Sequence, residues 1–358
     1  MQQRFEIADP SQISFARRGI GEIAQRVGCS ETVIGKLAII VTECATNQLK
    51  HAQRGELLAR VWHEVTPRGS RARSGVELLA IDNGPGIRDL HACFVDGFTT
   101  AGSPGTGMGA IQRLADELDV WSAPELGTLL RIVVWSDAAT EAAASAASPA
   151  APIEFGAIHL PLQGETLCGD AWSCGYAQGE FTAIVADGLG HGPLAHQAAR
   201  AAVDTFAQLG PSSLEQIVLA SHDALRPTRG AALGVARIPA AEIGGQIDDQ
   251  PAASARFCGI GNIAASVWSP HGHRHLVSHA GIAGHQMHKA QVFQVDWPRD
   301  ALLILHSDGL ATRWDLSRYP GLTLRHPALI AAALYRDFAR GRDDLTVFVA
   351  RVHRKELV

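Results

Sequence analysis

Ala183-Ile184-Val185-Ala186-Asp187-Gly188-Leu189-Gly190-His191-Gly192-Pro193 is the stretch that decides the fold of the longer part of the chain. An apolar run ends in an aspartate, a glycine-rich turn follows, and an alanine-rich helical pattern begins after Pro193. The run reads as a buried strand, with Asp187 at its carboxyl end where the backbone bends sharply. Three other aspartate sites occupy similar settings: Gly169-Asp170, His306-Ser307-Asp308-Gly309-Leu310 and Arg342-Asp343-Asp344-Leu345-Thr346. A single Asp-Gly pair is most often a turn. Four in order, at strand ends or glycine turns and with no Cys or His cluster beside them, suit a hard, oxygen-preferring cation such as Mg²⁺ or Mn²⁺. Two such cations generate a hydroxide and neutralise a phosphate ester without a covalent nucleophile. The expectation is a two-metal phosphatase site.

At 358 residues the chain is long enough for two domains. A net charge of −5 with no basic stripe leaves no footprint for nucleic acid. Cysteines 29, 44, 93, 168, 174 and 258 form no CxxC pair and read as reduced thiols rather than a disulfide framework. Met1 to Glu6 lacks the apolar core of a signal peptide, and no apolar run approaches the roughly 20 residues of a membrane helix. These features predict a soluble, cytoplasmic protein.

Ser136 to Pro152, SDAATEAAASAASPAAP, reads as a linker. It separates a first domain, 1–136, from a second, 153–358, with the linker proper at 137–152. In the first domain, helices are expected from Ser11 to Val27, where Gly28 ends it, and from a Ser30 cap to about Ala52. Strands are expected at Leu57–His63, Val76–Ile81, Asp119–Trp121 and Thr128–Trp135, with a helix over Ala110–Glu117. Helices that alternate with strands and hairpins predict an α/β sandwich. In the second domain, strands are expected at 154–160, 180–186, 231–238, 255–260, 263–268, 292–296, 301–306 and 345–352. Helices at about 193–209, 212–225 and 327–340 complete a β-sandwich flanked by helices.

Thr99 to Gly109 leads directly into a helix, and its glycines let backbone N–H groups approach a phosphate. Alone, this pattern describes a surface loop equally well. Its neighbours add weight. Asp82 ends a strand before a glycine turn, where a carboxylate can accept a hydrogen bond from an amino group such as adenine N6. Glu43 and Asn47 lie one helical turn apart on one face. Asn47 offers an oxygen to Mg²⁺ that bridges phosphates, and Glu43 can accept a proton from an attacking hydroxyl.

Together these residues resemble the GHKL ATPase/kinase superfamily, and most of all its anti-sigma-factor serine kinases. Glu43-Cys44-Ala45-Thr46-Asn47 matches the N box, Asp82-Asn83-Gly84-Pro85-Gly86-Ile87 the first glycine box, and Gly105-Thr106-Gly107-Met108-Gly109 the second. Gly127-Thr128 matches a later Gly-Thr at the adenine region. The resemblance covers nearly all of 5–136. It implies a Bergerat-type ATP site with Mg²⁺, built from Asn47, Asp82, Gly84, Gly86, Gly105, Thr106, Gly107, Met108, Gly109 and Thr128, with Glu43 as base. No histidine phosphoacceptor domain precedes it, which argues against a sensor histidine kinase. The four aspartate motifs, over 153–353, resemble the PPM phosphatases of the SpoIIE-like and RsbX-like branch. That resemblance implies metal contacts from Asp170, Asp187, the Gly188 carbonyl, Asp308, Asp343 and Asp344, with Asp187 bridging and catalytic and Asp343 the expected ligand of the final pair. Cys168-Gly169-Asp170 departs from the usual Ser-Gly-Asp form.

Joined, the two resemblances imply a regulator in which a serine/threonine kinase opposes a phosphoserine/phosphothreonine phosphatase. The partner implied is a STAS-type anti-anti-sigma or stressosome phosphoprotein. An alternative makes the first domain an ATP-sensing interaction module without transfer activity. A scaffold with degenerate sites is disfavoured by the intact aspartates. His271, His273 and His275 match no standard zinc spacing and read as a polar hairpin. His191 reads equally as a phosphate contact or a loop histidine. The oligomeric state is not legible.

Overall fold

The computed structural model describes residues 1–52, 54–66, 71–94, 107–137, 152–240 and 253–353. Gly105, Thr106 and most of the expected linker lie outside these residues. The described residues form two compact units, one from 1–64, 71–137 and 315–333, the other from 65–66, 152–314 and 334–353. Residues 315–333, placed in the second segment by the sequence, group with the first unit.

The first unit holds β1 (Gln3–Ile7), α1 (Pro10–Arg26), α2 (Glu31–Asn47), β2 (Gly55–Val65), β3 (Arg71–Asp82), the short α3 (Leu90–Cys93), α4 (Gly107–Leu114), β4 (Glu117–Ser122) and β5 (Thr128–Trp135). Its sheet runs β1-β2-β3-β5-β4. Local chemistry sets the helix ends. Asp9 caps α1 in a capping box with Gln12, and Pro10 opens the first turn. Gly28 takes φ +75° just past the end, where a glycine carries no steric penalty. Ser30 Oγ accepts from Val33 N and caps α2. The α-helix stops at Asn47, and Gln48–Ala52 continue as one wide π turn, where the sequence predicts an unbroken helix. The buried Gln48 side chain accounts for the change of pitch, since its Nε2 donates to Glu56 O and Ile81 O.

Strand alternation buries Leu57, Ala59, Val76, Leu78, Ile132 and Val134 against Ile20, Leu37, Ile40 and Ile111 of the helices. The opposite face carries a buried ion network. Glu77 lies between Arg60 (Nε 2.7 Å) and Arg131 (Nε 2.8 Å), and Arg131 also reaches Glu117 at 2.9 Å. Burial opposes the Glu77 charge, but the two guanidiniums outweigh it and hold its carboxyl below the ordinary range. On the same face, Trp121 packs edge-on against Tyr319 and donates to Pro320 O at 2.9 Å, and Asp119 accepts from His326 N at 2.7 Å.

The second unit contains β6 (Ile153–Leu160), β7 (Asp170–Ala177), β8 (Glu180–Gly188), α5 (Pro193–Leu209), α6 (Leu214–Leu225), β9 (Ala231–Pro239), β10 (Ser254–Ile260), β11 (Ala264–Ser269), β12 (Gly272–Leu276), β13 (Phe293–Asp296), β14 (Leu302–His306) and β15 (Leu345–Val352). Helix α7 (Pro327–Phe338) begins in the segment grouped with the first unit and ends in the second. The strands form two antiparallel sheets, β13-β10-β9-β8-β7 and β12-β11-β14-β15-β6. Helices α5 and α6 cover the first, packing Ala198, Ala202 and Ile217 on Ile184, Leu233 and Val235. Phe155, Trp172, Phe181 and Phe348 meet as rings, with centroids 5.8 Å apart for Phe155 and Phe181. The expected β-sandwich with flanking helices is the fold observed.

Two strands are absent from the sequence reading. β1 is a five-residue edge strand, and β7 is an edge strand of mixed polarity, Asp170–Ala177. The helix expected at Ala110–Glu117 begins instead at Gly107 and gives way to β4 at Glu117. His271 lies at the turn and Gly272–Leu276 form the far strand of a β11–β12 hairpin, as expected.

Two candidate sites, for nucleotide and for metal

In the first unit, α2 presents Glu43 and Asn47 one turn apart, both half-buried. The amino terminus of α4 faces them. A Cβ built on Gly107 falls 2.6 Å from Glu43 Oε2 and 3.7 Å from Asn47 Nδ2, so a side chain there would displace the Glu43 carboxylate. Met108 and Gly109 follow on α4, with Gly109 buried and Met108 packed against the helix-side core. The N box and the described part of the second glycine box thus converge. Free N–H groups of a helix start favour anionic ligands.

Asp82 closes β3, and its Oδ1 accepts from Gly84 N at 2.9 Å and Thr128 N at 3.1 Å. The first glycine box is stitched to the β4–β5 turn. Ile87 N donates to Ser122 Oγ at 2.8 Å, Ser122 Oγ pairs with Thr128 Oγ1 at 2.9 Å, and Glu125 N donates to Pro85 O. Gly86 takes φ +71°, and a Cβ built on it would fall onto Ala123 O, so a side chain there meets both strain and clash. Ser122 escapes the sequence reading, because its role appears only when the two turns meet.

In the second unit, period-two alternation along β8 carries Phe181, Val185 and Asp187 to one face. Asp170 pairs directly with Asp187 across β7–β8. Asp308 follows β14 and Asp343 precedes β15, strands of the facing sheet. Asp187, Asp308 and Asp343 line a cleft of about 410 Å³ with Leu189, Gly190 and Asn262. Asp308 Oδ2 accepts from Asn262 Nδ2 at 2.8 Å. Buried Asp170 accepts from Ser307 Oγ at 2.6 Å, and Ser307 Oγ accepts from Thr346 N at 2.9 Å. Asp344 turns inward, and its Oδ1 accepts from Leu162 N at 2.9 Å. Gly188 packs against Ala195 O too closely for any side chain.

The carboxylates raise one another's proton affinity. Burial, then the charges of Asp170, Asp308, Asp343 and Asp344, push Asp187 up to about 9. Burial pushes Asp170 up to about 7, against its hydrogen bonds from Ser307 and Thr346. Asp308 rises through burial and Asp343. Among the described residues, no three His, Cys, Asp or Glu side chains form a ready-made ion cage. The donor set nevertheless fits a divalent cation. It is all oxygen, its charges repel, and Asp344 Oδ2 is buried without a hydrogen-bond partner.

The departure at Cys168 has a packing cause. The thiol is buried, donates to Leu160 O at 3.2 Å, and is pushed far up by burial. His191 pairs with Glu165 at 2.7 Å, tying the turn after Asp187 to the loop before Cys168. His306 is pushed down to about 4 by burial and accepts from Trp314 Nε1 at 3.3 Å, so it is neutral.

These two sites on two folds define a kinase-like ATPase domain joined to a PP2C-type phosphatase domain. Comparison with known proteins agrees. Residues 7–134 match the family model of the histidine kinase-like ATPase domain. The anti-sigma F factor of Caldanaerobacter subterraneus is 30% identical over 122 residues, 33% of this chain and 82% of that protein. The serine/threonine-protein kinase RsbT of Bacillus subtilis is 28% identical over 121 residues, 34% of this chain and 86% of that protein. Through these residues the chain belongs to the histidine kinase-like ATPase family, and the domain binds ATP. The phosphoserine phosphatase RsbX of Bacillus subtilis is 24% identical over 152 residues, 42% of this chain and 71% of that protein. A solved structure of RsbX with magnesium aligns at TM-score 0.48 and 23% identity, covering 56% of this chain and 96% of that one. The chain is a partner-switching regulator with a kinase-like ATPase domain and a PP2C-type phosphatase domain. No helix among the described residues is long and apolar enough to cross a membrane.

Proposed function

We propose that the chain both adds and removes phosphate on serine or threonine of one STAS-type partner, with the kinase domain over 1–136 and the phosphatase domain over 153–358. The observation that carries the kinase half is the approach of Gly107, at the start of α4, to the Glu43 carboxylate beside Asn47. In this reading Glu43 accepts the proton of the attacking hydroxyl, and the α4 amino terminus holds the phosphates. The Asn47 amide oxygen would hold Mg²⁺, and Asp82, oriented by two backbone donors, accepts from the adenine amino group.

For the phosphatase half, Asp170, Asp187, Asp308 and Asp343 would hold one or two Mg²⁺ or Mn²⁺ ions, with the Gly188 carbonyl beside them. Such ions supply a Lewis acid and an activated water. Ser307 and Asn262 orient Asp170 and Asp308, and the inward Asp344 anchors the 161–169 loop through Leu162 N. The kinship of the first domain to RsbT, and of the second to RsbX, supports opposed activities on one partner.

The test is incubation with ATP, Mg²⁺ or Mn²⁺ and a STAS protein, followed by intact mass spectrometry. The expected result is an 80-dalton gain on the partner (about one phosphoryl group) that a metal-dependent second step removes. ATP binding without any gain in mass would leave the first domain as a nucleotide sensor.

A further inference from the structure

The described residues lining the metal cleft include no lysine or arginine. A phosphoserine carries close to two negative charges at neutral pH, and its recognition favours a guanidinium fork. Two arginines stand outside that lining: Arg340, whose charge acts on Asp308, and Arg229, which borders Gly190 of the lining. Arg229 Nη1 lies 3.1 Å from the point a Cβ on Gly190 would occupy, and Gly190 takes φ +82° in the turn that follows Asp187. Gly190 O in turn lies 3.3 Å from the corresponding point on Gly169, the residue before Asp170. The guanidinium therefore borders the turn that follows Asp187 and packs against Gly169, the residue before Asp170.

The loop that carries Arg229 is fixed. Leu189 N donates to Gly230 O at 3.0 Å, Gly230 N to Thr228 Oγ1 at 3.0 Å, and Thr228 Oγ1 to Leu225 O at 2.7 Å. A Cβ on Gly230 would fall 2.6 Å from Ala283 O, so the loop is also packed from the far side. Arg226, three residues earlier, is spent on Asp223 at 3.0 Å. Arg229 is exposed, and among the described residues no carboxylate pairs with it. A cation carried by a fixed loop beside an acid-rich cleft, with no carboxylate paired to it, is placed to meet an anionic ligand.

We infer that Arg229 binds the phosphate of the phosphoprotein substrate and holds it over the aspartate cluster, an assignment that rests on the phosphatase reading above. Arg229 supplies charge and two parallel N–H donors, and the aspartates hold the ions. A group that binds ground state and transition state alike acts on KM rather than kcat.

The experiment uses the full chain with Mn²⁺ and p-nitrophenyl phosphate, with inorganic phosphate as competitive probe. Arg229→Ala should raise both KM and the inhibition constant of phosphate about tenfold or more, the scale of a charged hydrogen bond. Mn²⁺ affinity by calorimetry should not change, Arg229→Lys should recover part of the loss, and Arg226→Ala should behave as wild type. An active wild type with the same KM and phosphate inhibition in Arg229→Ala overturns the assignment and leaves the phosphatase reading intact. A wild type that neither binds Mn²⁺ nor hydrolyses the ester overturns both.

Discussion

Asp82 and Asp187 each end a strand that runs into a glycine turn, and the fold treats them oppositely. Asp82 Oδ1 already accepts from two backbone N–H groups, Gly84 and Thr128. Asp187 faces Asp170 across the ladder and feels the charges of Asp308, Asp343 and Asp344. A carboxylate anchored by backbone donors is a fixed acceptor, suited to an organic ligand with N–H groups to offer. Carboxylates crowded against one another recruit positive charge instead. In the proposed function, identical residue types at matching strand ends would thus serve an adenine and a cation, and the neighbours decide which.

The largest expected effect lies at the crowded site. Asp187→Ala should abolish phosphate release from a phosphoserine protein while ATP affinity, by calorimetry, stays unchanged. The same variant should melt higher than wild type in chelator at neutral pH, because it removes a carboxyl that the fold forces to take up a proton. A lower melting point would mean that crowding at Asp187 does not cost the fold stability. At the nucleotide site, Glu43→Gln should slow transfer to the partner by about 10²–10⁴-fold with ATP binding retained, the usual range for loss of a general base. Transfer at the wild-type rate would remove Glu43 from its role.

Glu77 tests whether a satisfied carboxylate differs in kind from a crowded one. Glu77→Gln leaves Arg60 and Arg131 buried without their shared counter-ion and should destabilise the first unit by about 3–5 kcal/mol in denaturant melts. Its folded carboxyl lies below the unfolded value, so its contribution is present above the unfolded value near pH 4.3 and lost as pH falls through the folded one. The wild-type first unit should therefore lose stability below about pH 4, and the variant should lose less over that range. The smallest effect is expected from Asp82→Asn, which keeps the shape and removes the charge. ATP should bind more weakly by about 1.5–3 kcal/mol, read by calorimetry. Equal affinity would take Asp82 out of the site.

Much of this arrangement was legible in order along the chain. The strands that lead to Asp187 and Asp308 carry apolar runs, and capping residues announce α1 and α2. The edge strands β1 and β7 were not legible, since an edge needs little apolar content and Asp170–Ala177 mixes Ser, Cys and Gly with aromatics. Only the family resemblance singled out Asp343 over Asp344 as the expected ligand. They are adjacent and alike, and what turns Asp344 inward is the N–H of Leu162, 182 positions away. The π turn at Gln48 has the same origin, a side chain that answers to carbonyls on β2 and β3.

Asp170 and Asp187 belong to one sheet of the second unit, while Asp308 and Asp343 hang from strands of the other. An ion shared among them, as proposed, would act as a rivet between two plates. Pulled apart by force, the loaded sandwich should resist at this end and open first at the opposite end, whereas the stripped one begins to part where its own charges push.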